Sequence, residues 1–189
     1  MSNNYTAKYG NFYVRALLVN DVDENYLRWV CDEEVTDFLE IKYNTYTLQN
    51  LMDYTASFEG DTSKFLFGVF DTETHKHIGN GTINSVNYHS GIFDVGYFIG
   101  EKEYWGKNSG LATLLMLKKI AFEELKLRKI ISWVYANNIR NRFVLQRIGY
   151  THEATIKERF LYKGIKTDAG IYTLTTEDWF AKVKPKFEI

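Results

Sequence analysis

The segment YWGKNSGLA, residues 104–112, combines residue types that bind anions through the backbone. Gly106 and Gly110 allow the main chain to approach a phosphate closely, and Asn108 is the residue type after glycine that best tolerates a left-handed conformation. The apolar run that follows predicts a helix, whose first N–H groups lack partners and carry partial positive charge. The segment therefore predicts either an anion site or an ordinary helix entry.

Two nucleotide-binding motifs are excluded by the spacing in this segment. A P-loop has four residues between its first glycine and its Gly-Lys pair, but five residues separate Gly100 from Gly106 here. Asn108 also stands where a P-loop has Ser or Thr, and the dinucleotide pattern GxGxxG is absent.

The elements around this segment are predicted from periodicity and from cap residues. Asp21 and Thr47 are candidate N-caps of two early helices, and Asn138 and Gly149 are the candidate start and end of a later one. The helix after residue 109 has one apolar face, and Gly96 is predicted to break the strand before it. The predicted strands cover 11–17, 64–70, 77–86, 92–100, 129–136, 151–162 and 166–175.

Length and composition indicate one globular α/β domain over residues 1–189. The chain is 45% hydrophobic and 16% aromatic, and its net charge of -1 disfavours a nucleic-acid partner. No apolar run reaches the roughly 20 residues that span a membrane. The single cysteine, Cys31, cannot form an internal disulfide, so a cytoplasmic location is predicted.

Two further candidates are interpreted as structural. His75 and His77 lie in a predicted hairpin turn, where we expect solvated side chains rather than a metal site. Cys31 follows an apolar helix face without an evident base, which favours packing over nucleophilic chemistry. No metal is therefore predicted.

The stretch from Asp94 to Tyr150 resembles the acyl-CoA-binding core of the GNAT acetyltransferases. The likeness continues through RFLYKGIKTD, residues 159–168, and upstream over residues 14–40. The nearest subgroup contains ribosomal-protein N-terminal acetyltransferases and amino-sugar acetyltransferases. The resemblance implies a single GNAT-type α/β domain, in which a mixed central sheet has a splayed parallel strand pair and helices on both faces.

The resemblance also implies where the acyl-CoA donor binds. The family's turn pattern, Gln/Arg-x-x-Gly-x-Gly/Ala, falls on residues 105–110, with Trp105 replacing the polar first residue and Asn108 the central glycine. One N–H near Phe98 is expected to receive the thioester oxygen. The implied CoA-binding residues are Phe98, Ile99, Gly100, Trp105, Gly106, Lys107, Asn108, Ser109, Gly110, Leu111, Ala112, Asn138 and Asn141.

Two residues are candidates for proton transfer. Asp94 aligns with the carboxylate that serves as general base in several relatives, although a surface carboxylate at a strand start is the alternative. Leu145 occupies the position of a frequent general-acid tyrosine and cannot protonate sulfur. Either Tyr135 substitutes for it, or the thiolate leaves unaided, which an ordinary thiol pKa near 8.5 permits.

The acceptor is predicted less specifically, with Trp29, Phe38 and His89 as candidate contacts. The favoured acceptor is a nucleotide-linked amino sugar of surface-polysaccharide biosynthesis, and the alternative is a protein N-terminus of the ribosomal-protein type. A non-catalytic CoA-binding sensor is a third hypothesis. Acidic residues at the cleft, among residues 32–34, would favour a cationic acceptor. A homodimer is one option for assembly, and neither a nucleic-acid nor a membrane partner is predicted.

Overall fold

The computed structural model describes residues 4–189, which fold around one eight-stranded sheet. The strand order is β1-β2-β3-β4-β5-β6-β8-β7, and all neighbouring pairs are antiparallel except β5 and β6. The strands are β1 Thr6–Tyr9, β2 Phe12–Ala16, β3 Phe65–Asp71, β4 His77–Asn87, β5 Ile92–Ile99, β6 Lys129–Tyr135, β7 Thr151–Tyr162 and β8 Ile165–Thr175. The mixed sheet confirms the predicted fold class.

Helices cover both faces of this sheet. They are α1 Glu24–Cys31, α2 Leu48–Ala56, α3 Ser109–Lys119, α4 Ile139–Ile148, α5 Thr176–Asp178 and α6 Lys184–Phe187. A π-helical turn, Ile120–Glu124, extends α3, and a second one, Trp179–Val183, joins α5 to α6. Among residues 4–189, no helix is both long enough and apolar enough to cross a bilayer.

Two hydrophobic clusters pack on opposite faces of the sheet. One forms around α3, whose residues Leu111 to Lys118 are all buried. The other contains Tyr26, Trp29 and Val30 of α1 together with Leu51 of α2. The prediction of a single apolar face on α3 was therefore wrong, because protein surrounds this helix on all sides.

The parallel strands β5 and β6 separate soon after they meet. They pair only at Ile92 with Lys129 and at Phe93 with Ile130. Strand β5 goes on to pair with β4 along its other edge as far as Ile99. The edge of β5 that faces β6 is consequently open, which confirms the predicted splayed pair.

The predicted helix boundaries are correct where the cap residue lies next to its helix. The Thr47 hydroxyl accepts from the Asn50 N–H, the Asn138 side chain accepts from the Asn141 N–H, and Gly149 ends α4 with φ of 105°. The choice of Asp21 as a cap was wrong. Asp23 caps α1 instead, because the Asp21 carboxylate is held by the Arg15 guanidinium at 2.6 Å.

Four other predictions need correction. Strand β1 was missed, and β5 runs unbroken through Gly96, which pairs with Thr82. His77 is not solvated: it begins β4, and its ring stacks on Phe70 at 5.0 Å. Cys31 is exposed rather than packed, because it lies at the last position of α1, beyond the apolar face.

Candidate active site

The turn before α3 presents its backbone as expected for an anion site. Gly106 and Asn108 both have left-handed backbones, with φ of 77° and 62°. Asn108 is the N-cap of α3, but no side chain caps the helix. The Ser109 hydroxyl donates to the Tyr104 carbonyl at 2.8 Å, so it is turned away from the first N–H groups. These N–H groups, with the positive end of the helix dipole, remain available to an anion.

A cavity of about 340 Å³ lies between this turn and the start of α4, and we call it the helix-side cavity. Nine of the residues that were predicted from sequence line it, and Arg140, Val144 and Tyr97 add to its wall. The nine are Phe38, Phe98, Ile99, Trp105, Gly106, Ser109, Gly110, Asn138 and Asn141. The cavity thus unites the splayed strand with the starts of two helices.

The remaining predicted CoA-binding residues lie outside this cavity. Lys107, Asn108 and Ala112 line a neighbouring cavity of about 500 Å³ beside the β1–β2 turn. Leu111 is buried in the core. Gly100 packs against Trp29, and a Cβ atom at Gly100 would lie 2.1 Å from the indole. Their roles toward CoA stay predictions.

The open edge of β5 fixes which backbone groups face the gap. The Gly100 N–H donates to the Ile78 carbonyl of β4 at 2.9 Å. Because directions alternate along an antiparallel pair, the Phe98 N–H also points to β4, and those of Tyr97 and Ile99 point into the gap. The N–H near Phe98 that is expected to receive the thioester oxygen would therefore be that of Tyr97 or Ile99. The Ile99 carbonyl, on the same edge, accepts from the Trp105 indole at 2.8 Å.

A second cavity, of about 540 Å³, adjoins the first on the face of α1 and α2, and we call it the apolar cavity. Three residues, Leu39, Tyr97 and Phe98, line both cavities and mark the junction between them. Of the predicted acceptor contacts, Phe38 lies in the helix-side cavity. Trp29 is 1% exposed and His89 lies in the exposed β4–β5 turn, and neither lines a cavity described here.

The segment from Asp37 to Ile41 separates the two cavities, and the β7–β8 hairpin holds it in place. The Tyr162 hydroxyl lies 3.1 and 3.0 Å from the two Asp37 carboxylate oxygens. The Tyr162 ring stacks on Phe38, with centroids 4.6 Å apart. Phe38 has φ of 64°, a strained value for an aromatic residue, which these contacts stabilise.

Tyr135 is joined to the same segment through Glu40. Its hydroxyl donates a short hydrogen bond to the Glu40 carboxylate, and its ring stacks on Phe160 at 4.0 Å. Burial, followed by this hydrogen bond to Glu40, raises the pKa of Tyr135 above its ordinary value. The proton-donor role predicted for Tyr135 is disfavoured by this arrangement, because the phenol is a weaker acid and its proton is already donated.

Asp94 lies where β5 and β6 begin to diverge, and it lines neither cavity. Burial raises the pKa of Asp94 to about 6, partly offset by the Val95 N–H, the Ser132 hydroxyl and the Lys118 charge. The Val95 N–H donates to the carboxylate at 2.7 Å. Burial lowers the pKa of Lys118 to about 7. Asp94 can thus exchange a proton near neutral pH, and its base role stays a prediction.

Of the segment that divides the two cavities, sequence reasoning singled out Phe38 alone. Leu39 and Glu40 carry no motif, and their position depends on contacts with residues more than 90 positions away. The general-acid position, Leu145, is 2% exposed and belongs to the core around α3. No cluster of three or more metal-ligating side chains occurs within the described part of the chain.

Residues 11–151 match the family model of the acetyltransferase (GNAT) domain. A protein of Bacillus subtilis (strain 168), "Probable N-acetyltransferase YjcK", is 26% identical over 178 residues, which cover 88% of this chain and 94% of that protein. A second protein of this strain, YdaF, bears the name of a ribosomal N-acetyltransferase and is 31% identical over 86 residues, or 46% of each chain.

Solved structures share the fold. A crystal structure of a "Probable acetyltransferase" superposes with a TM-score of 0.80 at 20% identity and covers 93% of this chain and 99% of the other. The spermidine N-acetyltransferase of Vibrio cholerae, in complex with CoA and spermine, also gives 0.80, at 17% identity, over 90% of this chain and 98% of its own. At such identities the likeness concerns the fold alone.

Proposed function

Because this chain belongs to the GNAT acetyltransferase family and is thus an acyl-CoA-dependent N-acyltransferase, we propose that its acceptor is a small, cationic primary amine. The observation that carries the proposal is the junction at Leu39, Tyr97 and Phe98, the three residues that line both the helix-side cavity and the apolar cavity. A thioester that reaches this junction from one cavity meets an amine that enters from the other.

The helix-side cavity supplies the groups that acyl-CoA requires. The uncapped N–H groups of α3 would bind the pyrophosphate, and the open edge of β5 would pair with the pantetheine arm. Asn138, with its side chain already engaged by the Asn141 N–H, fixes the opposite wall. This arrangement would leave the sulfur near Tyr97 and Phe98.

The transfer itself needs a neutral amine and a leaving thiolate, so the bound ammonium first loses one proton to solvent water. The amine nitrogen would attack the thioester carbon while its proton passes to the Asp94 carboxylate through water, and the C–S bond would then break. The N–H groups of Tyr97 and Ile99 face the gap and are suited to the developing oxyanion. The thiolate would leave without a dedicated acid, since Leu145 cannot serve and Tyr135 is bound to Glu40.

Charge favours a cationic acceptor over a nucleotide-linked amino sugar. Among the described residues, no Lys, Arg or His lines the apolar cavity, and Glu40 is its charged residue. Glu34 and Asp37 at the neighbouring wall are neutralised by Lys102 at 2.7 Å and Lys163 at 3.6 Å. A diphosphate would meet no counter-charge in the apolar cavity. A peptide N-terminus or a polyamine satisfies this requirement for charge.

The test is a thiol-release assay with acetyl-CoA and three acceptor sets: simple amines, N-terminal peptides and amino-sugar nucleotides. We expect turnover with cationic amines and little with nucleotide sugars. Turnover confined to nucleotide sugars would contradict the proposed acceptor class. CoA binding without turnover on any of the sets would instead support the sensor hypothesis.

Asp94→Asn tests the base within the same assay. We expect kcat to fall by about 10²- to 10⁴-fold, the usual contribution of general base catalysis, while CoA affinity is retained. The wild-type rate should also fall below pH 6, because only the ionised carboxylate accepts a proton. Unchanged turnover in the variant would exclude Asp94 as the base.

A further inference from the structure

We infer that the acceptor of this enzyme carries an apolar body next to its amine, of a size near that of an alkyl chain or a single ring. The inference rests on the proposed function, because it places the acceptor in the apolar cavity. The inference narrows the class of acceptor amines, since polyamines and amino sugars are polar throughout their length.

The wall of the apolar cavity is formed largely by aliphatic and aromatic side chains. They come from α1, the segment around residue 40, α2, β3 and β5, and include Val30, Leu39, Ile41, Leu51, Leu66 and Phe98. Leu51 and Leu66 are at most 3% exposed and belong to the second core cluster. This wall can bury apolar atoms of a ligand but offers them no polar partner.

Three polar side chains of this cavity, those of Asn80, Thr82 and Asn84, make hydrogen bonds within the protein. The Asn84 amide donates to the Thr82 hydroxyl at 2.7 Å, and that hydroxyl lies 3.4 Å from the Gly96 carbonyl. The Asn80 carbonyl oxygen lies 2.8 Å from His77 Nε2, which also contacts the Gly79 carbonyl. Since both partners of Nε2 are acceptors, this nitrogen carries the proton and fixes the Asn80 amide.

Of two other polar groups at this cavity, one is engaged within the protein and one is unpaired. The Tyr46 hydroxyl donates to the Ile41 carbonyl at 3.0 Å. The Asn80 Nδ2 atom is buried and has no hydrogen-bond partner among the residues described, so it is an unpaired donor of this lining. A polar chain inside this cavity would therefore lose its water and gain few hydrogen bonds.

The charged residue lies at the end of the cavity where chemistry would occur. Glu40 follows Leu39, one of the three junction residues, and the Tyr135 hydroxyl holds its carboxylate. An ammonium group attracted to Glu40 would sit beside the junction. The rest of the molecule would then extend between α1, α2 and β4, away from the thioester.

A matched set of amines tests the inference with the intact protein and acetyl-CoA. From propan-1-amine to heptan-1-amine, we expect kcat/KM to rise about fourfold for each methylene group until the cavity is filled. Hexane-1,6-diamine has as many heavy atoms as heptan-1-amine but ends in a second ammonium, and we expect at least tenfold lower kcat/KM.

Substitutions test whether the preference for longer alkylamines arises in the apolar cavity. Ile41→Asn should reduce the preference for heptan-1-amine over propan-1-amine several-fold, whereas Ile165→Asn, at a residue that is 69% exposed on β8, should leave it unchanged. Glu40→Gln should raise KM for both amines by the same factor, because the amine head is common to them. If a variant fails to fold, the wild-type series still decides the question.

Four results would overturn the inference. Turnover that is independent of chain length, or a preference for the diamine, would refute the apolar body while the transferase proposal stands. A higher turnover with octanoyl-CoA than with acetyl-CoA, together with no effect of alkylamine length, would show that the apolar cavity binds the acyl chain of the donor. Absence of turnover with every amine would overturn the proposed function and this inference with it.

Discussion

At the scale of single residues, the proton chemistry depends on a pair of opposite charge. Lys118 is 0% exposed, its Nζ donates to the Leu114 carbonyl at 3.2 Å, and its charge lowers the pKa of Asp94 against the effect of burial. The ammonium also lies 5.1 Å from the centre of the Tyr150 ring. Burial, moderated by the Lys118 charge, places the titration of this half-buried carboxylate close to neutral pH.

Lys118→Met should move the acid limb of the pH–rate profile. Without the positive charge, the pKa of Asp94 rises above about 6, so the rate should begin to fall at a pH higher by on the order of one unit. The profile of kcat/KM measures this shift. Lys119→Met, one position along α3, is the matched control, and an equal shift there would contradict the explanation.

Lys118→Met should also change how the free energy of unfolding depends on pH. The pKa of Lys118 is lowered to about 7 in the folded protein, so the unfolded chain holds more protons between pH 7 and 10.5. Stability should therefore rise with pH across that window, and this rise should shrink in Lys118→Met. Urea unfolding at pH 7 and pH 10 measures the difference.

At the scale of elements, the start of α3 and the β7–β8 hairpin perform separate tasks. The turn before α3 presents N–H groups, whereas the hairpin holds the segment from Asp37 to Ile41 between the cavities. Substitutions in the two elements should consequently affect different ligands.

Gly106→Ala should weaken CoA binding several-fold and destabilise the fold by about 1 kcal/mol, because alanine resists the left-handed backbone. Gly164→Ala is a close control. Gly106 and Gly164 have φ of 77° and 78°, and a Cβ atom at either would meet nothing within 4 Å. Calorimetric titration with CoA measures the affinity of each variant. An equal loss of CoA affinity in Gly106→Ala and Gly164→Ala would show that the turn before α3 has no special role.

Tyr162→Phe removes the hydroxyl that bonds Asp37 and keeps the ring that stacks on Phe38. We expect KM for the amine to rise several-fold and stability to fall by about 1 kcal/mol, with little change in CoA affinity. Tyr88→Phe, at a tyrosine that is 52% exposed in the β4–β5 turn, is the control. A change confined to CoA affinity would contradict this division of tasks.

Features that depend on residues close in sequence were predicted correctly, whereas features that depend on a partner from another element were not. The caps at Thr47 and Asn138 satisfy N–H groups three residues away, so the sequence alone reveals them. Asp21 has the right residue type for a cap but is taken by Arg15, and Gly96 resembles a strand breaker yet pairs with Thr82. In both cases a partner from another element decided the outcome.

At the scale of the whole molecule, the site arises from contacts between distant parts of the chain. The resemblance placed the splayed strands and the turn before α3 correctly, because those pieces lie within one continuous stretch. The division into two cavities depends on Asp37 with Tyr162 and on Glu40 with Tyr135, pairs that are 125 and 95 positions apart. No periodicity or motif in the sequence reports such pairs.

Because β5 and β6 pair at only two positions, the backbone amides of β5 should differ in their rates of hydrogen exchange. Gly96, Phe98 and Gly100 direct their amides to β4, whereas Tyr97 and Ile99 direct theirs to the gap. In deuterated water, we expect amide exchange to alternate along β5, slow at even positions and fast at Tyr97 and Ile99. Saturating CoA should slow exchange at Tyr97 and Ile99. Uniform exchange along β5 would contradict a pantetheine arm that pairs with the open edge of this strand.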